Sequence, residues 1–269
     1  MMLYQQFFDQ WHKMRSKDTS VPAHHRFAGA NTHIPPDVRT ILDVGCGDGE
    51  FLGWLPGSYR KVGLDMSWEP LCRLNIPGVQ GTAEALPFTN GAFDLVTCFE
   101  VLEHLPYEAF PIALREIARV SRKYIIVSVP NRELLTESLV WCPQCSCAFS
   151  PSWHVRAFDA ASLRNLFTGF ELMECRPCGP MASYGGSRVA GLVLMLSKRS
   201  PPPMAVCPQC GYGEKADGSL HQCGDENPLL PPRVPLSTLV LALGRRILFR
   251  DRRPYWLMAS YARISEITV

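Results

Sequence analysis

Charge of one sign is almost missing in excess: 27 lysines and arginines face 25 acids in 269 residues, leaving a formal net charge of +2. That is too little to argue for a nucleic-acid partner, so any basic patch must be local. Long apolar runs are also lacking. No uninterrupted stretch approaches the roughly 18 residues of a membrane-spanning helix. Residues 1–15 have no basic start, apolar core and small-residue cleavage site, so they do not read as a secretory signal. Together these absences predict a cytoplasmic protein. Internal repeats are missing too, apart from two copies of one four-letter cysteine motif. The 46% of hydrophobic residues can bury a full core, either as one large α/β domain with insertions or as two small domains.

What is present is organised around Ile41-Leu42-Asp43-Val44-Gly45-Cys46-Gly47-Asp48-Gly49-Glu50. An apolar run that opens into glycines at alternate positions and then resumes helix-compatible spacing predicts a buried strand, a tight turn and a helix start. Glycines let a backbone pass close to a ligand, and a helix N-terminus behind them favours polar or negative groups. Asp65 follows on a second strand, Lys61-Val62-Gly63-Leu64-Asp65, where a carboxylate can take both hydroxyls of a ribose. The pair points to a nucleoside-containing cofactor. A plain strand-to-helix turn is the alternative.

The first stretch resembles motif I of the class I S-adenosylmethionine-dependent methyltransferases (type 11-like), and Asp65 matches that family's ribose-binding acid. Gly81-Thr82-Ala83-Glu84-Ala85-Leu86-Pro87-Phe88 resembles its adenine-edge loop. The run from Phe93 through Phe99-Glu100-Val101-Leu102-Glu103-His104-Leu105 resembles its fourth strand and active-site rim. The resemblance covers Arg39 to Asn131. It implies an α/β fold with a doubly wound, seven-stranded, mostly parallel sheet, the Rossmann-like methyltransferase fold. It also implies S-adenosylmethionine as cofactor and S-adenosylhomocysteine as product. Carried over residue by residue, cofactor contacts fall on Asp43, Gly45, Cys46, Gly47, Asp65, Met66, Thr82, Ala83, Glu84, Phe99 and Glu100. Thr82 departs from the pattern, because many relatives have an acid there. Backbone or Glu84 would then meet the adenine amino group.

Along the chain, Phe7, Phe8, Trp11 and Met14 share one stripe of a helix expected over residues 3–16, part of an N-terminal helical cap spanning 1–34. The cofactor core is expected over 35–175, with a lid and first cysteine motif at 130–158. Strands are expected near 41–44, 61–65, 79–82, 93–98, 124–129 and 170–175, and helices near 50–55, 69–75, 107–121 and 160–167, the last capped by Asp159. Val189 to Ser197 competes with residues 255–263 for the antiparallel seventh strand. The C-terminal choice is preferred, because it leaves strand six ending on the active-site edge beside the first cysteine motif. An insertion over 176–254 would then carry the second motif, apolar helices at 187–198 and 237–249, and the basic cluster Arg245, Arg246, Arg250, Arg252 and Arg253. Residues 255–269 would complete the sheet.

Eleven cysteines are many for a reducing compartment. Cys142-Pro143-Gln144-Cys145 and Cys207-Pro208-Gln209-Cys210 each supply two thiolates from a tight loop. Together they would close a structural zinc site in a small zinc-ribbon-like lobe. A self-contained set of Cys207, Cys210, Cys223 and His221 competes, Cys147 or Cys178 could replace a ligand, and free core cysteines are the bland alternative. Cys175 and Cys178 have the same spacing without the repeat.

Methyl transfer needs alignment and exclusion of water more than it needs acid or base. For an acceptor that must lose a proton, the candidate bases are His154, then His104, then Glu103, each with a structural reading beside it. Arg156 could pair an anionic acceptor or simply neutralise Asp159. A lobe bearing an arginine-bordered apolar helix suggests an acceptor larger or greasier than a metabolite, such as a natural product or a glycan- or lipid-linked hydroxyl, with peripheral membrane contact. The competing class is a non-catalytic zinc protein of the same fold that binds RNA or a partner protein. A nicotinamide oxidoreductase is disfavoured, because Gly-x-Gly-x-Gly is not Gly-x-Gly-x-x-Gly.

Overall fold

A computed structural model describes residues 24–184, 200–201, 205–212 and 251–264. The helices expected at 3–16, 187–198 and 237–249 lie outside them, as do His221, Cys223, Arg245, Arg246 and Arg250. The described residues divide into two units. A sheet unit comprises 24–132, 156–180 and 254–264, and a cysteine unit comprises 133–155, 181–184, 200–201, 205–212 and 251–253.

In the sheet unit, near-continuous apolar runs form the inner strands, as burial on both faces requires. β1 (Thr40–Val44), β2 (Arg60–Asp65), β3 (Gly78–Gln80), β4 (Phe93–Phe99) and β5 (Ser121–Pro130) are joined in parallel in the order β3-β2-β1-β4-β5. β9 (Asp251–Arg263) then pairs antiparallel with β5, and β8 (Phe170–Tyr184) lies beyond it. This is the Rossmann-like methyltransferase sheet, and the C-terminal segment fills the seventh-strand place. All seven residues of β4 are buried. They alternate between two cores: Val96 and Cys98 face one with Leu42 and Val44, while Leu95 and Phe99 face the other with Ile41 and Phe27. After β3 the strand order turns back to β4 beside β1. Such a switch opens a crevice at the carboxyl ends of β1 and β4.

Several expectations for helices change. Helix α1 (His24–Asn31) falls after the helix expected over 3–16, and its Phe27 and Ala30, three apart, bury one face. After α2 (Glu50–Trp54), α3 covers only Trp68–Leu71 rather than 69–75. α4 (Ala109–Val120), shorter than the expected 107–121, buries Ala113, Ile117 and Val120 and leaves Ile112 39% exposed. Residues 160–167 form turns rather than a helix. The expected cap is nevertheless made, with Ser162 N–H donating to Asp159 Oδ1 (2.7 Å) and Asp159 N–H to Ser162 Oγ (2.9 Å). No described helix is long and apolar enough to cross a membrane.

The cysteine unit holds α5 (Leu135–Ser138) and a two-stranded antiparallel ribbon, β6 (Val140–Trp141) with β7 (Ala148–Phe149).

Candidate cofactor site and cysteine cluster

β1 ends in a bend that only glycine makes cheaply. Gly45, Gly47 and Gly49 have φ of 76°, 55° and 75°. A Cβ on Gly45 would also lie 2.2 Å from Val101 Cγ2. The N–H groups of Gly45 and Cys46 both donate to Leu64 O (2.7 and 3.0 Å), tying the bend to the end of β2. There the Asp65 side chain, 5% exposed, is held in one orientation. Gly47 N–H donates to its Oδ2 at 2.8 Å and Ser67 N–H to its Oδ1 at 2.9 Å. A carboxylate has about four acceptor sites, so two backbone bonds can fix its plane while it still recognises a diol. The fit to a nucleoside therefore rests on the bend and the oriented acid. α2, at five residues, is too short to add much through its dipole.

Asp43 is buried, and Thr97 Oγ1, opposite it in register, donates to its Oδ1 at 2.6 Å. Burial raises its pKa to about 7 against the Thr97 bond and the charge of Arg26, which lower it, while Asp65 adds a smaller upward push. Burial also pushes the Cys46 thiol far up, so it packs beneath the bend instead of reacting; Gly63 leaves room for it, since a Cβ there would meet Cys46 Sγ at 2.6 Å. Met66 accepts from Gln80 Nε2 at 3.1 Å through its carbonyl. Beyond β3, Gly81 N–H donates to Asp65 O at 2.9 Å, which brings the Thr82-Ala83-Glu84 loop alongside Asp65. Ala83 is buried and Thr82 and Glu84 are half-buried.

On the other side of the crevice, Phe99 is buried and Glu100 has φ of 56°. Glu100 Oε1 accepts from Ser128 Oγ (3.1 Å) and its Oε2 from Trp256 Nε1 (2.7 Å). Glu103 is fully buried, and half-buried His104 donates its N–H to Val101 O at 3.0 Å. Arg156 is committed elsewhere than to Asp159: it donates to Leu105 O at 2.7 Å and stacks 3.8 Å from the Phe110 centroid. Sequence reasoning missed Arg26, Ser128 and Trp256, which are brought here from α1, β5 and β9 and share no local motif.

In the cysteine unit, His154 Nδ1 lies 2.5 Å from Glu133 Oε2, with both side chains largely buried. An ionised carboxylate only accepts, so in this contact Nδ1 is the donor. The two motifs are built alike. Ser146 N–H donates to Cys142 O and Gly211 N–H to Cys207 O, each at 2.9 Å. Cys142 N–H donates to Cys147 O and Cys207 N–H to Tyr212 O, also at 2.9 Å. Ser146 and Gly211 both have positive φ, 59° and 72°. Trp153 Nε1 donates to Val206 O at 3.0 Å and fastens one segment to the other. The sulfurs of Cys142, Cys145, Cys207 and Cys210 all lie within 4.8 Å of one another, with contacts of 3.5 Å (142 to 210) and 3.6 Å (145 to 207). A tetrahedron with Zn–S near 2.3 Å has edges of about 3.8 Å, so the set fits one zinc.

Cys147 is not in that group; its sulfur contacts Ala148 O at 3.6 Å. Nor are Cys175 and Cys178 a third motif. Three residues apart on β8, they point to opposite faces and pack on different cores.

Comparison with known proteins adds the following. Residues 42–126 match the methyltransferase domain. An uncharacterized protein of Methanocaldococcus jannaschii is 35% identical over 101 residues, covering 37% of this chain and 44% of that one. The phthiotriol/phenolphthiotriol dimycocerosates methyltransferase 1 of Mycobacterium ulcerans is 36% identical over 109 residues, covering 37% and 38%. The chain thus spans less than half the length of these relatives. A chain from a Haloferax volcanii complex that contains the Trm112 methyltransferase activator superposes with a TM-score of 0.54 at 15% identity, covering 96% of each chain, a likeness of fold. The stretch that matches the methyltransferase domain, residues 42–126, thus lies in the sheet of the Rossmann-like methyltransferase fold.

Proposed function

We propose that this protein is an S-adenosylmethionine-dependent methyltransferase with a structural zinc in its cysteine unit. The observation that carries the first half is the Asp65 carboxylate, oriented by the N–H groups of Gly47 and Ser67 one strand from the glycine bend. Asp65 takes the ribose hydroxyls, and the Gly45 to Gly47 backbone lies along the nucleoside. Thr82, Ala83 and Glu84 border the base, while Asp43, Cys46, Met66, Phe99 and Glu100 shape the crevice. When bound, the cofactor supplies a methyl group on a sulfonium that is its own activated leaving group. The protein's task is alignment and exclusion of water.

His154 is the first candidate for general base, because its Nδ1 proton is held by Glu133, and His104 and Glu103 follow. The acceptor class proposed is a natural product or a glycan- or lipid-linked nucleophile; the Mycobacterium ulcerans relative, named for phthiotriol and phenolphthiotriol dimycocerosates, supports the lipid member. Cys142, Cys145, Cys207 and Cys210 hold zinc in a closed set of four thiolates, which gives the metal a structural role and no open position for a substrate.

Calorimetry with S-adenosylhomocysteine tests the reading. Binding by the parent and its loss in Asp65→Ala support it. A parent that binds no nucleoside removes the enzyme and leaves the competing class, a zinc protein that binds RNA or a partner. Zinc near one per chain in the purified protein tests the second half.

A further inference from the structure

Helix α4 carries a second apolar stripe beside the one it buries against the sheet. Ala113, Ile117 and Val120 face the core, while Pro111, Leu114 and Ala118, three and four residues apart, share another face and border a cleft of about 860 Å³. Leu166, in the turns before β8, adds an apolar wall. Leu114, Ala118 and Leu166 are half-buried and Pro111 is exposed, so this apolar surface is reached by water. The cleft lies at the amino ends of β4 and β5, where Asn90 and Gly91 lead into one strand and Ser121 begins the other. The glycine bend and Asp65 are at the opposite, carboxyl edge of the sheet.

Cations border the apolar stripe. Arg115 and Arg119 stand on α4, Arg122 follows at the start of β5, and Arg263 joins them from the end of β9; no acid is among the described lining residues. Arg119 is paired with Glu116 at 2.7 Å and Arg122 with Asp94 at 3.1 Å. Among the described residues, no ion pair engages Arg115 or Arg263. Arg263 is held by neutral groups instead. Its Nε donates to Arg122 O at 3.1 Å and an Nη to Ala118 O at 2.7 Å, and its guanidinium carbon lies 4.5 Å from the Phe170 centroid. Carbonyls and a ring fix the fork in place without cancelling its charge.

These features select among occupants. Arg115, Arg122 and Arg263 are all exposed, so a small ligand would leave much of its surface in water, unlike one in an ordinary enclosing pocket. A phosphate backbone gains nothing from Leu114 and Leu166, and two of the four arginines are already neutralised by Glu116 and Asp94. A protein segment with apolar side chains at helical spacing and carboxylates beside them satisfies both stripes. We infer that this cleft docks an acidic amphipathic helix of a partner protein, with its apolar anchors on Pro111, Leu114, Ala118 and Leu166 and its carboxylates on Arg115 and Arg263. The inference does not depend on the cofactor reading, because it concerns the other edge of the sheet.

The test is fluorescence anisotropy on the whole chain at low salt with three labelled probes. The first is a helix-forming peptide of about 16 residues, with leucines at i, i+3 and i+7 and glutamates beside them. The second has glutamines in place of the glutamates, and the third is a single-stranded oligonucleotide of the same charge as the first. The parent is expected to bind the glutamate peptide at least about tenfold more tightly than either of the others. Arg115→Glu should weaken that peptide by roughly tenfold, since an attractive rim charge becomes repulsive, and added salt should shrink the difference. Ala118→Glu, which sets a carboxylate on the apolar stripe, should weaken it as well. A parent that binds neither peptide overturns the inference without recourse to any variant, so a misfolded variant does not shield it. A preference for the oligonucleotide overturns it in favour of nucleic acid. Peptide binding that survives both Arg115→Glu and Ala118→Glu lies elsewhere on the molecule and overturns it too.

Discussion

The two units of this protein are held together by different means. The sheet unit buries complete apolar side chains from every inner strand, among them Ile41, Leu42, Leu95, Val96, Ile125 and Ile126, all at 0–1% exposure. Among the described residues, the cysteine unit has an apolar cluster of Val140, Cys142, Phe149, Ala205 and Cys207, with Cys145 and Cys147 at its margin, over a ribbon of two two-residue strands. By itself this described cluster is too small to offset the ordering of segments more than fifty residues apart in the chain. The sheet unit draws its order from the hydrophobic effect. The cysteine unit, on the reading proposed above, draws on bonds to a metal.

Removing the metal should break this comparison most severely. Structural zinc contributes on the order of 10 kcal/mol or more to such a fold, so Cys142→Ser, or a strong chelator, should release about one equivalent of zinc. It should also collapse amide-exchange protection over 140–149 and 205–212. Protection of β4 and β5 should persist. If both units lose protection together, the contrast drawn here is wrong. The four thiols have their own reason to need a cation. Backbone N–H groups of Cys145 and Gln144 outweigh burial and draw Cys142 down to about 7, while against the pull of the Tyr212 backbone Cys210 is pushed up to about 12 by burial and its neighbouring thiols. Like charges so close ionise one at a time until a metal is present.

The converse experiment is Leu95→Ala in β4. Truncating a fully buried leucine should cost about 2–5 kcal/mol, read as a lower unfolding midpoint, with zinc content unchanged. Gly45→Ala should follow at about 1–3 kcal/mol for the backbone strain, more if Val101 cannot move aside. Unlike the leucine change, it should also abolish S-adenosylhomocysteine binding in the folded fraction, because it alters the bend itself. A variant that binds normally would show that the bend is not where the ligand lies.

What the sequence made legible follows the same division. Strands β1, β4 and β5 could be read because each is mostly apolar, and β2 because Val62-Gly63-Leu64-Asp65 follows the glycine motif at the spacing of a second strand ending in an acid. The place of β9 followed from topology, since a chain leaving β8 at the carboxyl edge must return antiparallel to β5. The paired cysteine motifs could be read because each is local. Residues 160–167 were misread as helix: the Asp159 and Ser162 cap is real, but Leu163 turns into the core and its carbonyl accepts from Tyr261 Oη at 2.7 Å, a tertiary bond that no local pattern announces. The same holds for contacts between distant side chains. Glu133 meets His154 across 21 residues, Glu100 meets Trp256 across 156, and Arg26 finds its aromatic wall from β4 and β9. Periodicity reports which face of an element is buried, and says nothing of which polar group a fold will set opposite another.

The mildest probe concerns pH and acts on the sheet unit alone. Asp43 carries a folded-state pKa near 7, above its ordinary value of 3.8, chiefly through burial. The folded form therefore binds more protons than the unfolded chain between about pH 4 and 7, and by linkage its stability falls as pH rises through that window and levels off above it. Asp43→Asn cannot ionise and still offers an amide oxygen to Thr97 Oγ1, so it should flatten this slope. Urea midpoints at pH 5 and pH 8 should differ for the parent and draw together in the variant, with the variant the more stable of the two at pH 8. Zinc thiolates, as proposed for the cysteine unit, would oppose this trend, since they lose metal as pH falls. The comparison is therefore read from amide exchange in β4 and β5 beside amide exchange in the cysteine ribbon. Opposite pH trends in the two signals would mark two units stabilised by different chemistry.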